Sequence, residues 1–276
     1  GAASLAEALR TECEGEGVAF RCGTRAVGLA GGGAGGGVTV TTDAGEEIPA
    51  RTVVLAAPPR VLLDTIVFSP PLPESQMQAM RDTPTWMAEV SKVAVGCSRR
   101  FWREIGHSGV AVSRAGPVES WWEAGASGDD DSGGGEGEAA LAGFVSGRAS
   151  AGLAGLSAAA LRERVVAQLA RLFPGAGDVG AAVEWVELKT WADCPLTHAR
   201  PPRGAGRPWR DGPLGAPEAR APALGGRCFF AGTETCAEGR GHMEGAVAAG
   251  ERAAAEVEGT LARGRQASSL AKKNAD

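Results

Sequence analysis

The chain has 276 residues, 43% of them hydrophobic, enough to bury a sizeable core in one large or two interleaved domains. Its formal net charge is -5 with Lys and Arg dispersed, which excludes the basic footprint that nucleic-acid backbones require. Six cysteines without a C-x-x-C pair and three histidines exclude the common zinc sites and read as reduced intracellular thiols, and no run approaches the roughly 18 apolar residues of a membrane span, so a soluble protein is expected.

Residue 1 is Gly, and SLAEALRTECE reads as a helix already under way with Leu5, Ala8 and Leu9 on one face, so an upstream segment is expected. Two β-prone runs follow at 18–22 and 24–29, then the tract GGGAGGG at 31–37, which its own side chains cannot order. Val38–Thr42 and Ile48–Ala57 flank an Asp43-Ala44-Gly45 turn. Residues 18–57 therefore read as an antiparallel meander whose last strand, Thr52–Ala57, is apolar on both faces and central. Pro58-Pro59 stops that strand, and Pro70-Pro71-Leu72-Pro73 closes the next loop. A helix is expected at 74–82 and strands at 90–97, 109–113, 117–123 and 139–146, with a solvated acidic loop at 129–138. Ser157 caps an amphipathic helix to Phe173, with Leu161, Val165, Leu169 and Leu172 at helical spacing. A strand at 182–191 leads into a Pro- and Gly-rich loop at 195–226, and residues 263–276 read as a disordered basic tail.

The most informative stretch is Arg227 to Val257. A short apolar strand at 228–231 runs into Gly232-Thr233-Glu234-Thr235, a glycine-containing loop, and an Ala-rich helix from Met243. Strand, glycine turn and helix bring a helix N-terminus up to an anionic or electron-rich ligand. Such a turn serves packing as often as binding, and the residues alone leave both readings open.

FAGTET at 230–235 followed by GHMEGAVAAGERAAAEV at 241–257 resembles the C-terminal flavin-binding motif of the flavin-containing amine oxidases of the monoamine-oxidase kind. TVVLAAPP at 52–59, FSPPLP at 68–73, TPTWM at 83–87 with VSKV at 90–93, and FWR at 101–103 resemble further segments in the family's order. The resemblance implies an α+β protein: an α/β FAD-binding domain from 1–69 and 225–262 whose N-terminal Rossmann portion is missing, and a mixed-sheet substrate domain with helices at 70–224. It implies FAD contacts at Thr24, Ala57, Pro58, Gly232 and Glu234, with His242, Met243 and Ala246 facing the flavin ring. Lys92 matches the family lysine that holds a water beside the flavin; without the resemblance it reads as a solvated strand residue.

The departures are equally specific. The chain contains no tyrosine, so the family's aromatic cage is absent; the two cage positions fall at Leu196 and His242. Cys194 lies one position from the family's flavin-tethering slot and precedes Pro195, so FAD is expected to be non-covalent. Trp191 matches a family tryptophan near the flavin, with core packing as the alternative; Trp121 and Trp122 line a cavity or simply pack. No G-x-G-x-x-G follows a strand with an acidic residue about 20 positions on. The implied activity is oxidation of an amine to an imine and aldehyde with oxygen as acceptor and hydrogen peroxide released, Lys92 and His242 being the catalytic candidates and Trp191, Leu196 and His242 the substrate contacts. The alternatives are a non-catalytic remnant, or the same fold acting on polyamine, amino-acid or protein-lysine substrates.

Overall fold

The computed structural model describes residues 2–33, 36–85, 90–124, 139–197 and 216–273. The expected acidic loop at 129–138, Trp86 and Met87, and the loop residues 198–215 lie outside them. In chain order the elements are α1 (Ala2–Gly15), β1 (Ala26–Gly33), β2 (Gly37–Thr42), β3 (Glu47–Ala50), β4 (Val53–Leu55), α2 (Pro59–Thr65), β5 (Val67–Ser69) and α3 (Glu74–Asp82). Then come β6 (Val90–Cys97), α4 (Phe101–Glu104), β7 (Ala111–Val112), β8 (Ser120–Glu123), β9 (Ala139–Ser146), α5 (Gly147–Ala154), α6 (Ala158–Leu172), α7 (Val179–Ala182) and β10 (Val183–Thr190). The last two are β11 (Cys228–Phe230) and α8 (Met243–Lys273). The class is α+β, as expected.

These elements form two compact units: a sheet unit of Gly1–Ala19 with Glu89–Asp193, and a turn unit of Phe20–Ala88 with Cys194–Asp276. The sequence placed functional boundaries at 69/70 and 224/225.

In the sheet unit, five strands pair in the order β10-β6-β9-β8-β7. Every pairing is antiparallel, where a mixed sheet was expected. No βαβ crossover separates these strands, so hairpin-like returns suffice. β9 alternates buried and half-buried residues along its whole length, the pattern of a strand with one face on a core. Leu161, Val165 and Leu169 of α6 close that core against Val93, Val95 and Leu141. Ser157 accepts a hydrogen bond from the Ala160 N–H at 3.3 Å, which satisfies one orphan donor of the first turn. Trp102 and Trp121 are fully buried, each contributing about 1.5–3 kcal/mol of apolar transfer. The Trp102 indole N–H donates to Glu123 Oε2 at 2.9 Å, so burial leaves it no unpaired donor. Gln168 is buried with both ends of its amide used: it accepts from the Val118 N–H at 3.1 Å and donates to the Val118 carbonyl at 2.7 Å. The opening helix forms as α1, but Leu5 and Leu9 remain about half exposed (52% each).

In the turn unit β1 and β2 pair antiparallel, with Gly31 opposite Val38 and Gly33 opposite Gly37, so the described ends of the glycine tract are held by backbone pairing. β1 pairs parallel with β5, completing the sheet β3-β2-β1-β5. Two expectations fail here. Residues 18–22 form no strand. The segment Thr52–Ala57 does not end the meander; its core, β4, pairs parallel with β11, and Val54 is 44% exposed. Parallel strands need a long crossover, which is why this partner lies far away in sequence. Leu29, Val38, Leu55, Met80 and Phe230 form this unit's core. α8 continues to Lys273, so residues 263–273, read as a disordered tail, are helical. Ala, Leu, Arg, Gln and Lys all favour helix, and no Pro interrupts them.

Candidate functional site

β11 ends where the Ala231 N–H donates to the Leu55 carbonyl at 2.7 Å, and the chain then turns at Gly232 with φ 94°, a left-handed conformation that a side chain would strain. A 3-10 turn at Thr233–Thr235 follows. Thr235 Oγ1 donates to the Gly232 carbonyl at 2.9 Å and accepts from Arg252 Nη2 at 3.0 Å. Arg252 also donates to the Phe230 carbonyl at 2.7 Å, tying α8 back to the end of β11. Thr233 Oγ1 accepts from the Gly241 N–H at 2.7 Å and donates to the His242 carbonyl at 3.1 Å, closing the loop at 236–242 onto the turn. A methyl group on Gly245 would overlap the Gly239 carbonyl and press on Thr233, so the first turn of α8 lies directly against this loop. The glycine-rich turn and the helix N-terminus are thus one hydrogen-bonded piece.

One charged group is buried in it, and a second is half-buried beside it. Glu234 is 8% exposed, and burial raises its carboxyl pKa, an effect only partly offset by a backbone N–H bond and the charge of Arg240. Burial lowers the Arg240 guanidinium, against the pull of Glu234. Arg240 Nη1 is buried with no acceptor among the described residues. An unmet buried donor costs about 1–3 kcal/mol, so this nitrogen is set to receive an acceptor. A buried carboxylate beside an unfilled cationic donor suits a ligand carrying both hydroxyl groups and anionic oxygens. Sequence reasoning missed Arg240; its signal was an arginine inside the glycine pair of GRGH.

The turn gathers Gly232, Glu234, His242, Met243 and Ala246, with His242, Met243 and Ala246 exposed at the start of α8. A Cβ on Gly232 would stand 3.2 Å from the Ala56 carbonyl, so the end of β4, with half-buried Ala57 and Pro58, adjoins the same turn. Thr24 is exposed on the loop before β1, and Leu196 is 58% exposed on a turn of the same unit. Lys92 and Trp191 belong to the sheet unit. Lys92 is exposed, its Nζ 5.3 Å from the Phe144 ring centroid. Trp191 is half-buried with Lys189 Nζ 5.2 Å above its ring, and its indole N–H is buried without an acceptor among the described residues. Trp121 packs in the core, whereas Trp122 is half-buried against Phe144 with ring centroids 4.8 Å apart.

Other features carry no comparable chemistry. A cleft of about 310 Å³ beside Pro71, Gln76, Pro222 and Leu224 has no titratable lining group. All six cysteines are free thiols; burial pushes Cys228 up to about 12 and Cys97 up to about 11, far from the reactive thiolate. Among the described residues no His, Cys, Asp or Glu cluster could hold a metal, and no helix is long and apolar enough to cross a membrane.

The family model of flavin containing amine oxidoreductases matches residues 1–258. The chain belongs to that family. The chain is 34% identical over 228 residues to a flavin-containing amine oxidase of Danio rerio, covering 80% of this chain and 40% of the relative. It is 32% identical over 236 residues to a putative flavin-containing monoamine oxidase of Mycobacterium tuberculosis, covering 82% of this chain and 45% of that one. A solved structure of a putrescine oxidase variant superposes with TM-score 0.67 at 26% identity, covering 86% of this chain and 48% of that one. The chain therefore spans less than half the length of these relatives.

Proposed function

We propose that this chain is the part of an FAD-dependent amine oxidase that carries the flavin-facing turn and the substrate-facing sheet. The observation behind this reading is the β11–turn–α8 piece, with its buried Glu234, unfilled Arg240 Nη1 and exposed helix start at His242 and Met243. Residues 1–69 and 225–262 serve the cofactor, and 70–224 serve the substrate. When bound, FAD supplies the electron acceptor that converts an amine to an imine and passes the electrons to oxygen as hydrogen peroxide.

The chain's own residues bind and polarise. Glu234 accepts hydrogen bonds from ligand hydroxyls, Arg240 donates to anionic oxygen, and Gly232 lets backbone come close where a side chain would intrude. The positive end of α8, at Met243 and Ala246, stabilises negative charge that gathers on the ring during turnover. Thr24, Ala57 and Pro58 complete the cofactor contacts. His242 stands in a cage position, where imidazole accepts a hydrogen bond from an ammonium or, protonated, holds an anion. Lys92 holds a proton-relaying water, and Trp191 and Leu196 shape the space for a small amine. With Cys194 off the tethering slot, FAD is held without a covalent bond.

The test is anaerobic addition of monoamines, diamines and amino acids to FAD-loaded protein expressed from the complete gene. Bleaching of the flavin band, followed by peroxide release when oxygen is admitted, is expected with at least one class. A flavin that stays oxidised with every class would overturn the proposal.

A further inference from the structure

We infer that Arg252 is the positioning residue of the turn: it fixes the backbone at 232–235 so that the Glu234 carboxylate stands in place for the cofactor's hydroxyls. The inference rests on the FAD reading of this turn and adds to it a side chain that acts through Glu234 rather than on the cofactor.

Arg252 lies in the third turn of α8, about 13 Å along the helix axis from Met243. It belongs to the same compact unit as β11 and the turn. Its Nη2 carries two N–H groups and has two acceptors: the Phe230 carbonyl before the turn at 2.7 Å, and Thr235 Oγ1 at its end at 3.0 Å. Its Nη1 donates to both carboxylate oxygens of Glu256, at 3.1 and 3.2 Å. Such an i,i+4 pair adds little stability by itself, but here it holds the plane of the guanidinium against the turn. Arg220 Nη1 reaches the Thr235 carbonyl only at 3.4 Å, so Arg252 is the firmer hold.

The threonines on either side of Glu234 divide the helix between them. Thr233 Oγ1 is bonded to Gly241 and His242 at the helix start, and Thr235 Oγ1 to Arg252 further along. Two separated attachments stop α8 from rotating or sliding against the turn. Between them, the Glu234 carboxylate accepts from its own backbone N–H. A Cβ on Gly232 would stand 3.5 Å from Glu234 Oε2, so the carboxylate lies back over Gly232. The Gly232 carbonyl takes both the Thr235 N–H at 3.0 Å and the Thr235 hydroxyl at 2.9 Å. Arg252, through Thr235, therefore sets the peptide on which the carboxylate rests. Lysine would keep the charge and the helix preference, but its compact ammonium does not spread donors over a plane. A single nitrogen does not bridge Phe230, Thr235 and Glu256 together.

The test is a double-mutant cycle on FAD binding, read by flavin fluorescence on apoprotein from the complete gene, so that no turnover is needed. Arg252→Lys should weaken FAD binding about tenfold when Glu234 is present, and less than about twofold in the Glu234→Gln background. A brace that serves only the fold costs the same in both backgrounds. Glu256→Gln, which releases only Nη1, should repeat the pattern at smaller size, and it carries the test if Arg252→Lys does not fold. Equal weakening in both backgrounds, or none in either, overturns the inference while wild type still binds FAD. Wild-type apoprotein that takes up no FAD rejects the reading of the turn itself, and the inference falls with it.

Discussion

The core beneath the five-stranded sheet and the turn between β11 and α8 bury different kinds of polar group. Under the sheet, Trp102 donates to Glu123 and Gln168 bonds both ends of Val118, while the Trp121 indole N–H and one Arg162 guanidinium nitrogen are buried without a partner among the described residues. At the turn, a carboxyl is buried beside a half-buried guanidinium, one nitrogen of which is buried with no acceptor among the described residues. Burying charge costs several kcal/mol per ion unless geometry compensates. A carboxyl kept buried at that cost, beside a cationic donor with no acceptor among the described residues, points to a ligand rather than to stability alone.

The largest expected effect lies on the sheet side. Trp121 is 1% exposed, and Trp121→Ala should lower the unfolding free energy by about 3–5 kcal/mol in a urea titration. A loss under about 1 kcal/mol would show that this core is loosely packed and would weaken the contrast. Next comes Gly245→Ala at the turn, where the added methyl meets the Gly239 carbonyl and Thr233. A cost of about 1–3 kcal/mol is expected, together with weaker FAD retention, because α8 must move off the loop.

A subtler effect reverses sign between the two regions. Burial raises the Glu234 pKa above its unfolded value, so the folded state binds that proton more tightly. The stability this gives is fully present below the unfolded pKa of about 4.3 and is lost as pH climbs through the higher folded value. Glu234→Gln should therefore match wild type in acid and exceed it by about 1–2 kcal/mol near neutrality, while binding FAD less well. Glu123 runs the other way. Burial raises its pKa, but hydrogen bonds from Trp102 and Arg103 and the charges of Arg103 and Arg100 outweigh that and leave it lowered. Its contribution is present above the unfolded pKa and fades as pH falls through the folded one. Ser157→Ala should cost least, about 0.5–1 kcal/mol in the same titration, since its 3.3 Å cap bond is long.

Local rules made much of this legible. α3, β6 and β9 fall where the sequence places them because Pro73 fixes one start and alternation fixes one buried face. Ser157 was readable as a cap for the same local reason. The partner of β4 was not, because parallel pairing with β11 leaves no short-range mark in either segment. At the candidate site, the glycine turn and helix start were visible as a string. Arg240 was not, since an arginine between glycines looks solvated until Glu234 and the loop enclose it.

The most direct measurement is FAD retention after desalting, on protein from the complete gene, for wild type and Glu234→Ala side by side. The account predicts that wild type keeps its visible flavin absorbance and the variant loses most of it. Equal retention in both, or none in wild type, would contradict the assignment of the β11–turn–α8 piece to the flavin.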